Sequence, residues 1–241
     1  MKSFKKFTSV FLVLMLSFSI FMSVNVNATD TFTVKIQMTG MRGANSTSTE
    51  VIAEGTVPYT AGMTAFDAIK AIAISSGQTD ITEVIDGVTY HNQGLLRWYT
   101  TNWGDYISAI KVTGHSSNNK FFGANGSAIS STISNGRGAY FKQSNLNATE
   151  TALGYSTNAT WVDPDDAVNL DGYVSEKDYN RFSGWMLLID GSTNNNGIGT
   201  VLTSNNSTVV LDFSMMMGLD LGQDSYVQNS GGSWVFVNGW N

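Results

Sequence analysis

Cysteine is absent from the 241 residues, proline occurs twice, and only 13% of the side chains are charged. The first absence excludes a disulfide framework, a thiolate-held zinc or iron–sulfur centre and a cysteine nucleophile. Scarce charge goes with disorder only when apolar residues are scarce too, and here 42% of the chain is hydrophobic, enough for a globular core. Cations are also short. The formal charge is -6, and because Lys2, Lys5 and Lys6 are the only charges in the first 28 residues, the remainder carries -9. A chain that acidic is a poor match for phosphate backbones or anionic membranes, so nucleic acid is not an expected partner.

Long apolar runs are missing as well. Val10 to Met22 spans 13 residues, short of the ~20 that a membrane-crossing helix needs. The run follows the three lysines and leads to Val26-Asn27-Ala28, with small side chains before a break. That order reads as a secretory signal peptide over residues 1–28, with an uncleaved anchor as the competing reading. No cysteine follows it to carry a lipid. The remainder is expected to be secreted, extracellular or associated with the cell surface, without a membrane span and monomeric. An exported chain free of cysteine suits a bacterial host that does not rely on disulfides.

What is present begins with strict alternation over Thr31 to Thr39, where Phe32, Val34, Ile36 and Met38 share one face. This predicts a half-buried strand, and Val51 to Tyr59 a second that makes a long hairpin with it. The period then changes. Thr64 with Asp67 three residues on forms a capping-box variant, and Phe66, Ile69, Ile72 and Ala73 form the apolar stripe of a helix that Ser75-Ser76-Gly77 would stop. Strands are expected at Tyr106 to Val112, at Trp185 to Ile189 before Asp190-Gly191, at Val209 to Phe213 and at Trp234 to Val237, with Trp240 extending the last. Two strands, a helix and further strands without a βαβ repeat predict an α+β domain with a mixed or antiparallel sheet packed on one main helix. Phe66, Ile69 and Ile72 are expected to lie on a sheet holding Val34, Ile36, Ile110, Leu187 and Ile189.

Between Gly114 and Ser183 runs a Ser/Asn/Gly-rich stretch with scattered aromatics. A structureless loop of that length is unusual in a compact domain, so residues 115–182 are read as an inserted, β-rich flap, dispensable for the fold and needed for binding. The organisation expected is a signal peptide over 1–28, a domain over 29–222 carrying that insertion, and an extension over 223–241 with one more strand.

Three pieces in order resemble the transcobalamin-like C-terminal domain family: Ala61-Gly-Met-Thr-Ala-Phe-Asp-Ala-Ile69, Gly104-Asp-Tyr-Ile-Ser-Ala-Ile110, and Ser183-Gly-Trp-Met-Leu-Leu-Ile-Asp-Gly191. The third is the most specific, a Gly-Trp-Met opening on an apolar strand that closes on Asp-Gly. The chain departs from the family in Ser204-Asn-Asn-Ser-Thr208, where a short Gly-Asp turn is usual, in the insertion and in the tail after Gly222. The resemblance implies a β-grasp-like fold, in which a curved sheet embraces one helix, and a non-catalytic binding role. In animal carriers of the family the ligand is a corrinoid; that identity does not transfer to this chain.

Trp98, Tyr99, Trp103 and Tyr106 form the candidate ligand site. They cluster beside Arg97 and Asp105 in a short polar stretch before a strand, and flat rings flanked by hydrogen-bonding groups can stack on a sugar or a planar ligand. The competing reading is that half of them fill the core; exposure is favoured for Trp98 and Tyr99. His91 and His115 lack a ligand-type partner at helical spacing and are read as structural or surface residues. Gly114-His-Ser-Ser117 lacks the second glycine of a nucleophile elbow, and Gly123-Ala-Asn-Gly-Ser127 lacks the lysine of a phosphate loop. Asn169, Asp171 and Asp178 resemble the latter part of a calcium loop, but Ala167 stands where the leading carboxylate belongs, so an acidic surface loop is the favoured reading and calcium the alternative. Glu50, Glu54, Glu83 and Asp105 are too scattered to nominate the acid–base pair of a glycosidase. The function expected is therefore a secreted, non-catalytic module that binds a small molecule, corrinoid-like, or a glycan, without a resident cofactor. The alternative is a structural or adhesive surface protein that binds another protein.

Overall fold

Alternation sets the first element, as expected. In the computed structural model, which describes residues 30–39, 50–102, 104–112, 143–156, 172–176, 180–194 and 196–240, Thr31–Met38 forms strand β1 with Phe32, Val34, Ile36 and Met38 all buried. It pairs antiparallel with β2, Glu50–Pro58. Its other edge takes β10, Thr208–Ser214, in parallel register, with Val34 beside Val209 and Ile36 beside Leu211. β10 in turn pairs antiparallel with β8, Gly184–Ile189, and β8 with the two-residue β9, Ser192–Thr193, so the sheet order is β2-β1-β10-β8-β9.

Helix α1, Ala65–Ala73, packs on β1, β2 and β10 through Phe66 and Ile69. Its start is fixed by the capping box read from the sequence: the Asp67 amide donates to Thr64 Oγ1 at 3.1 Å, and the Thr64 amide donates to Asp67 Oδ2 at 3.1 Å. The Thr64 contacts and the Lys70 ammonium hold the Asp67 carboxyl below its ordinary range. Thr64→Ala removes one side of the box and is expected to cost about 1 kcal/mol in urea unfolding, with the fold retained.

The second sheet was not foreseen from the sequence. It is an antiparallel meander of β3 (Ile81–Ile85), β4 (Val88–Gln93), β5 (Leu96–Thr101), β6 (Gly104–Lys111) and β7 (Tyr173–Ser175). Asp86-Gly87 turns β3 into β4 with φ of 50° and 82°, and Asp190-Gly191 turns β8 into β9 with φ of 51° and 81°. Two successive positive φ values are the mark of the hairpin turn whose twist matches the strands, and Asp-Gly is among the few pairs that adopt it readily. At Gly94, between β4 and β5, a Cβ atom would lie 2.2 Å from the Ala73 carbonyl oxygen, so only glycine lets the meander close onto the end of α1. Ile110, expected beside Val34 and Ile36, belongs to this second sheet, and both sheets bury side chains in one core.

The described part of residues 115–182, a stretch expected to be a dispensable, β-rich flap, is tied into the fold. It is helix α2, Gln143–Ala152, together with β7, which extends the second sheet at the edge of β6. Leu146, Leu153, Val174 and Phe182 are buried in the core. Glu150 is buried too, and burial raises its carboxyl although Arg181, with Nε 3.5 Å away, pulls the other way. The tail also exceeds the one strand expected. β11, Ser225–Gln228, and β12, Trp234–Val237, form their own hairpin, and Trp240 does not extend it but folds back so that its amide donates to the Leu219 carbonyl at 2.8 Å.

Asp190 does more than turn the chain. Its carboxylate accepts hydrogen bonds from the amides of Ser207 and Thr208 at 2.7 and 2.9 Å and from the Asn206 side chain at 2.8 Å, tying the β8–β9 turn to the start of β10. The Asn206 bond contributes most to holding this carboxyl well below its ordinary value, with the Ser207 and Thr208 bonds adding to it. A depressed folded-state value means that the stabilisation is present above the unfolded value of about 4 and is lost as pH falls below it towards the folded value. Asp190→Asn is therefore expected to lessen the loss of stability on acidification below about pH 4, read from urea midpoints across that range.

Candidate ligand-binding site

β5 and β6 carry three of the four aromatic residues singled out in the sequence. Trp103 lies outside the described residues, as do His115 and the loop residues Asn169, Asp171 and Asp178. Trp98 and Tyr99 are neighbours on β5, not members of a loop, so their side chains take opposite faces of the sheet.

Trp98 points into the core. It is 9% exposed and meets the Phe66 ring edge-on at 5.7 Å. His91, directly opposite on β4, stacks on the indole at 5.1 Å and 13°, and its Nδ1 is 2.7 Å from Asp80 Oδ2. The exposure expected of Trp98 is thus overturned, because β5 turns its ring towards α1.

Tyr99 takes the other face. It stands between Tyr90 on β4 and Tyr106 on β6, each directly across in register, with ring centroids 5.0 and 5.3 Å away. The three rings make one row across three strands, half-buried in each case. Tyr90 carries no weight in the sequence reading; the register alone reveals it. The Tyr106 hydroxyl donates to Glu176, just past β7.

Arg97 supports the row from beside it. Its guanidinium carbon lies 4.4 Å from the Tyr90 centroid, and Nη1 donates to Asn92 at 2.9 Å and to Glu83 at 3.1 Å. The side chain is fully buried, yet Nε and Nη2 have no acceptor among the described residues. A buried guanidinium so incompletely paired is costly to keep, and such costs concentrate where a protein does something other than fold. Burial raises the Tyr173 hydroxyl, with the Arg97 charge opposing it.

A cleft opens at the end of the row. Its volume is about 250 Å³, and Asp105, Tyr106 and Ile107 of β6 face Trp185, Met186 and Leu187 of β8 across it. Leu211 of β10 and Ile198 contribute apolar surface, and Asn194 a polar group. Several of these groups are held in place by their own bonds. Trp185 Nε1 donates to the Val174 carbonyl at 3.0 Å while its ring meets Phe213 edge-on at 5.0 Å. Asn194 Oδ1 accepts from the Thr200 hydroxyl and the Asn196 amide, and Asp105 accepts from the Thr100 hydroxyl at 2.7 Å. Apolar walls with a few fixed polar groups are the usual make-up of a small-molecule site. The sequence reading thus reached Tyr106, and missed Trp185, Met186 and Asn194.

Among the described residues no cluster of three metal-ligating side chains occurs, and no helix is long and apolar enough to cross a membrane. No protein-family model, curated protein or solved structure matches the chain.

Proposed function

We propose that this chain is an exported, non-catalytic binding module of the transcobalamin-like kind, holding in its cleft either a small molecule with a flat ring face, corrinoid-like, or a glycan. The observation that carries the reading is the meeting of cleft and tyrosine row at Tyr106, which puts an apolar cavity and a stacking surface side by side. A β-grasp-like arrangement fits the parallel pairing of β1 with β10 under α1. The three family-like sequence pieces support it too, since they fall on the start of α1, on β6, and on β8 with its turn.

Calorimetric melting with cyanocobalamin and with soluble oligosaccharides tests the proposal. A ligand at ~100 times its dissociation constant adds ~2.7 kcal/mol to stability, a shift that Tyr106→Ala should largely remove. Absence of any shift across both ligand classes overturns the reading, and so does release of reducing ends from an oligosaccharide, which would make the protein an enzyme.

A further inference from the structure

The β11–β12 hairpin presents a feature that the cleft does not use. Tyr226 stands opposite Phe236, and Gln228 opposite Trp234, so all four side chains share one face of the ribbon. Tyr226, Trp234 and Phe236 are 57%, 63% and 52% exposed. The Tyr226 and Phe236 rings touch at 5.4 Å, and Trp234 follows two residues along the same strand, about 7 Å from Phe236 in backbone distance. Three large rings standing in water on one narrow face have no role in the core.

The hairpin is nevertheless rigidly mounted. Val227, on its other face, is buried. The Ser230 amide donates to the Leu153 carbonyl at 2.9 Å, and the Tyr155 hydroxyl to the Gln228 carbonyl at 2.9 Å. Asn229 closes the turn, accepting from the Gly231 and Ser233 amides, while the Gln228 side chain donates to the Gly232 carbonyl. Rings held this way lose little further freedom when something binds them.

From Ser225 to Asn241 the chain contains no Asp, Glu, Lys, Arg or His. Gln228 shares the face with the rings, Asn229, Ser233 and Asn238 adjoin the two strands in sequence, and the carboxylate just before the hairpin, Asp224, is engaged by the Gly239 amide. Anionic lipid or an acidic polymer would call for cations that this segment lacks. A neutral sugar chain offers what this face accepts, with apolar C–H faces for the rings and hydroxyls for the amides. We infer that the outward face of the β11–β12 hairpin is a second binding site, for a neutral polysaccharide, through Tyr226, Trp234 and Phe236.

Depletion of the full chain from solution by insoluble cellulose, chitin, curdlan and mannan, at physiological salt, tests this inference. Binding to at least one is expected, with a loss of tenfold or more in Tyr226→Ala/Trp234→Ala and retention in Trp234→Phe. Circular-dichroism melting confirms that the variants fold, and Trp234→Ser alone serves if the double variant does not. Tyr106→Ala, a change in the cleft, should bind the same solid as tightly as the parent chain does, which separates the hairpin from the cleft; a parallel loss in that variant overturns the inference. Binding to none of the four solids overturns the inference, as does undiminished binding by the ring variants or preferential capture by anionic vesicles.

Discussion

Replacing residues 115–182 with a short Gly/Ser linker is expected to abolish cooperative unfolding. Four buried side chains, Leu146, Leu153, Val174 and Phe182, leave the core in that replacement. At roughly 1.5–3 kcal/mol for each large apolar side chain, the loss is about 6–12 kcal/mol, as large as the ~5–15 kcal/mol by which whole domains are stable. The damage extends beyond transfer energy. β6 loses its pairing with β7 along Ala109 to Lys111, and the Trp185 indole loses its acceptor on Val174. Arg181, stacked 4.3 Å from the Tyr155 centroid and paired with Glu150, goes as well. Circular dichroism against urea reads the outcome. A single steep transition with an undiminished slope would show that this segment lies on the fold and not in it.

Trp98→Ala and Tyr99→Ala should separate widely, although the two residues are adjacent. The tryptophan change is expected to cost ~3–5 kcal/mol, since it empties a site between α1 and β5 and removes the ring contacts to Phe66 and His91. Tyr99 is half-buried on the other face and gives up two ring contacts, at about 0.5–1.5 kcal/mol each. That change should leave a folded protein and, on the function proposed above, weaken the binding of cyanocobalamin or oligosaccharide, because the row behind Tyr106 is broken. Urea midpoints of the two variants, measured side by side, decide it. Equal costs would place both rings on one face and overturn the strand assignment of β5.

This pair also shows where the sequence was readable and where it was not. β1, α1, β8 and β10 announce themselves, because each buries a single face or a whole run and the period survives intact. The α+β class follows from those four elements alone. β3 to β5 bury little on one side, so polar, aromatic and aliphatic residues mingle without a clean alternation. Asp86-Gly87 was the available signal: a two-residue hairpin turn between strand-length runs. With that turn placed, Trp98 and Tyr99 fall in a strand and must diverge. The bulge between Arg97 and Trp98, which shifts the pairing with β6, has no mark in the composition of the segment. Of the candidate site, Tyr99 and Tyr106 were legible as members of one aromatic cluster. Tyr90 was not, because only cross-strand register brings it beside them, and Trp185 was spoken for as the opening of a buried strand.

The parallel pairing of β1 with β10 bears on how the chain comes to be folded at all. Gln37 and Asp212, which bond across that pair at 2.7 Å, are 175 residues apart. Contacts between such distant partners demand that a long loop be closed before anything is gained, and topologies rich in them fold slowly. At a synthesis rate of ~5–20 residues per second, β1 waits about 10–35 s for its central neighbour to be made. During that interval the β1–β2 hairpin has an unpaired inner edge carrying Phe32, Val34 and Ile36, a template for mispairing. Completion of the sheet therefore waits until β10 has been made, and a nascent chain truncated before Thr208 should remain dependent on whatever holds it unfolded.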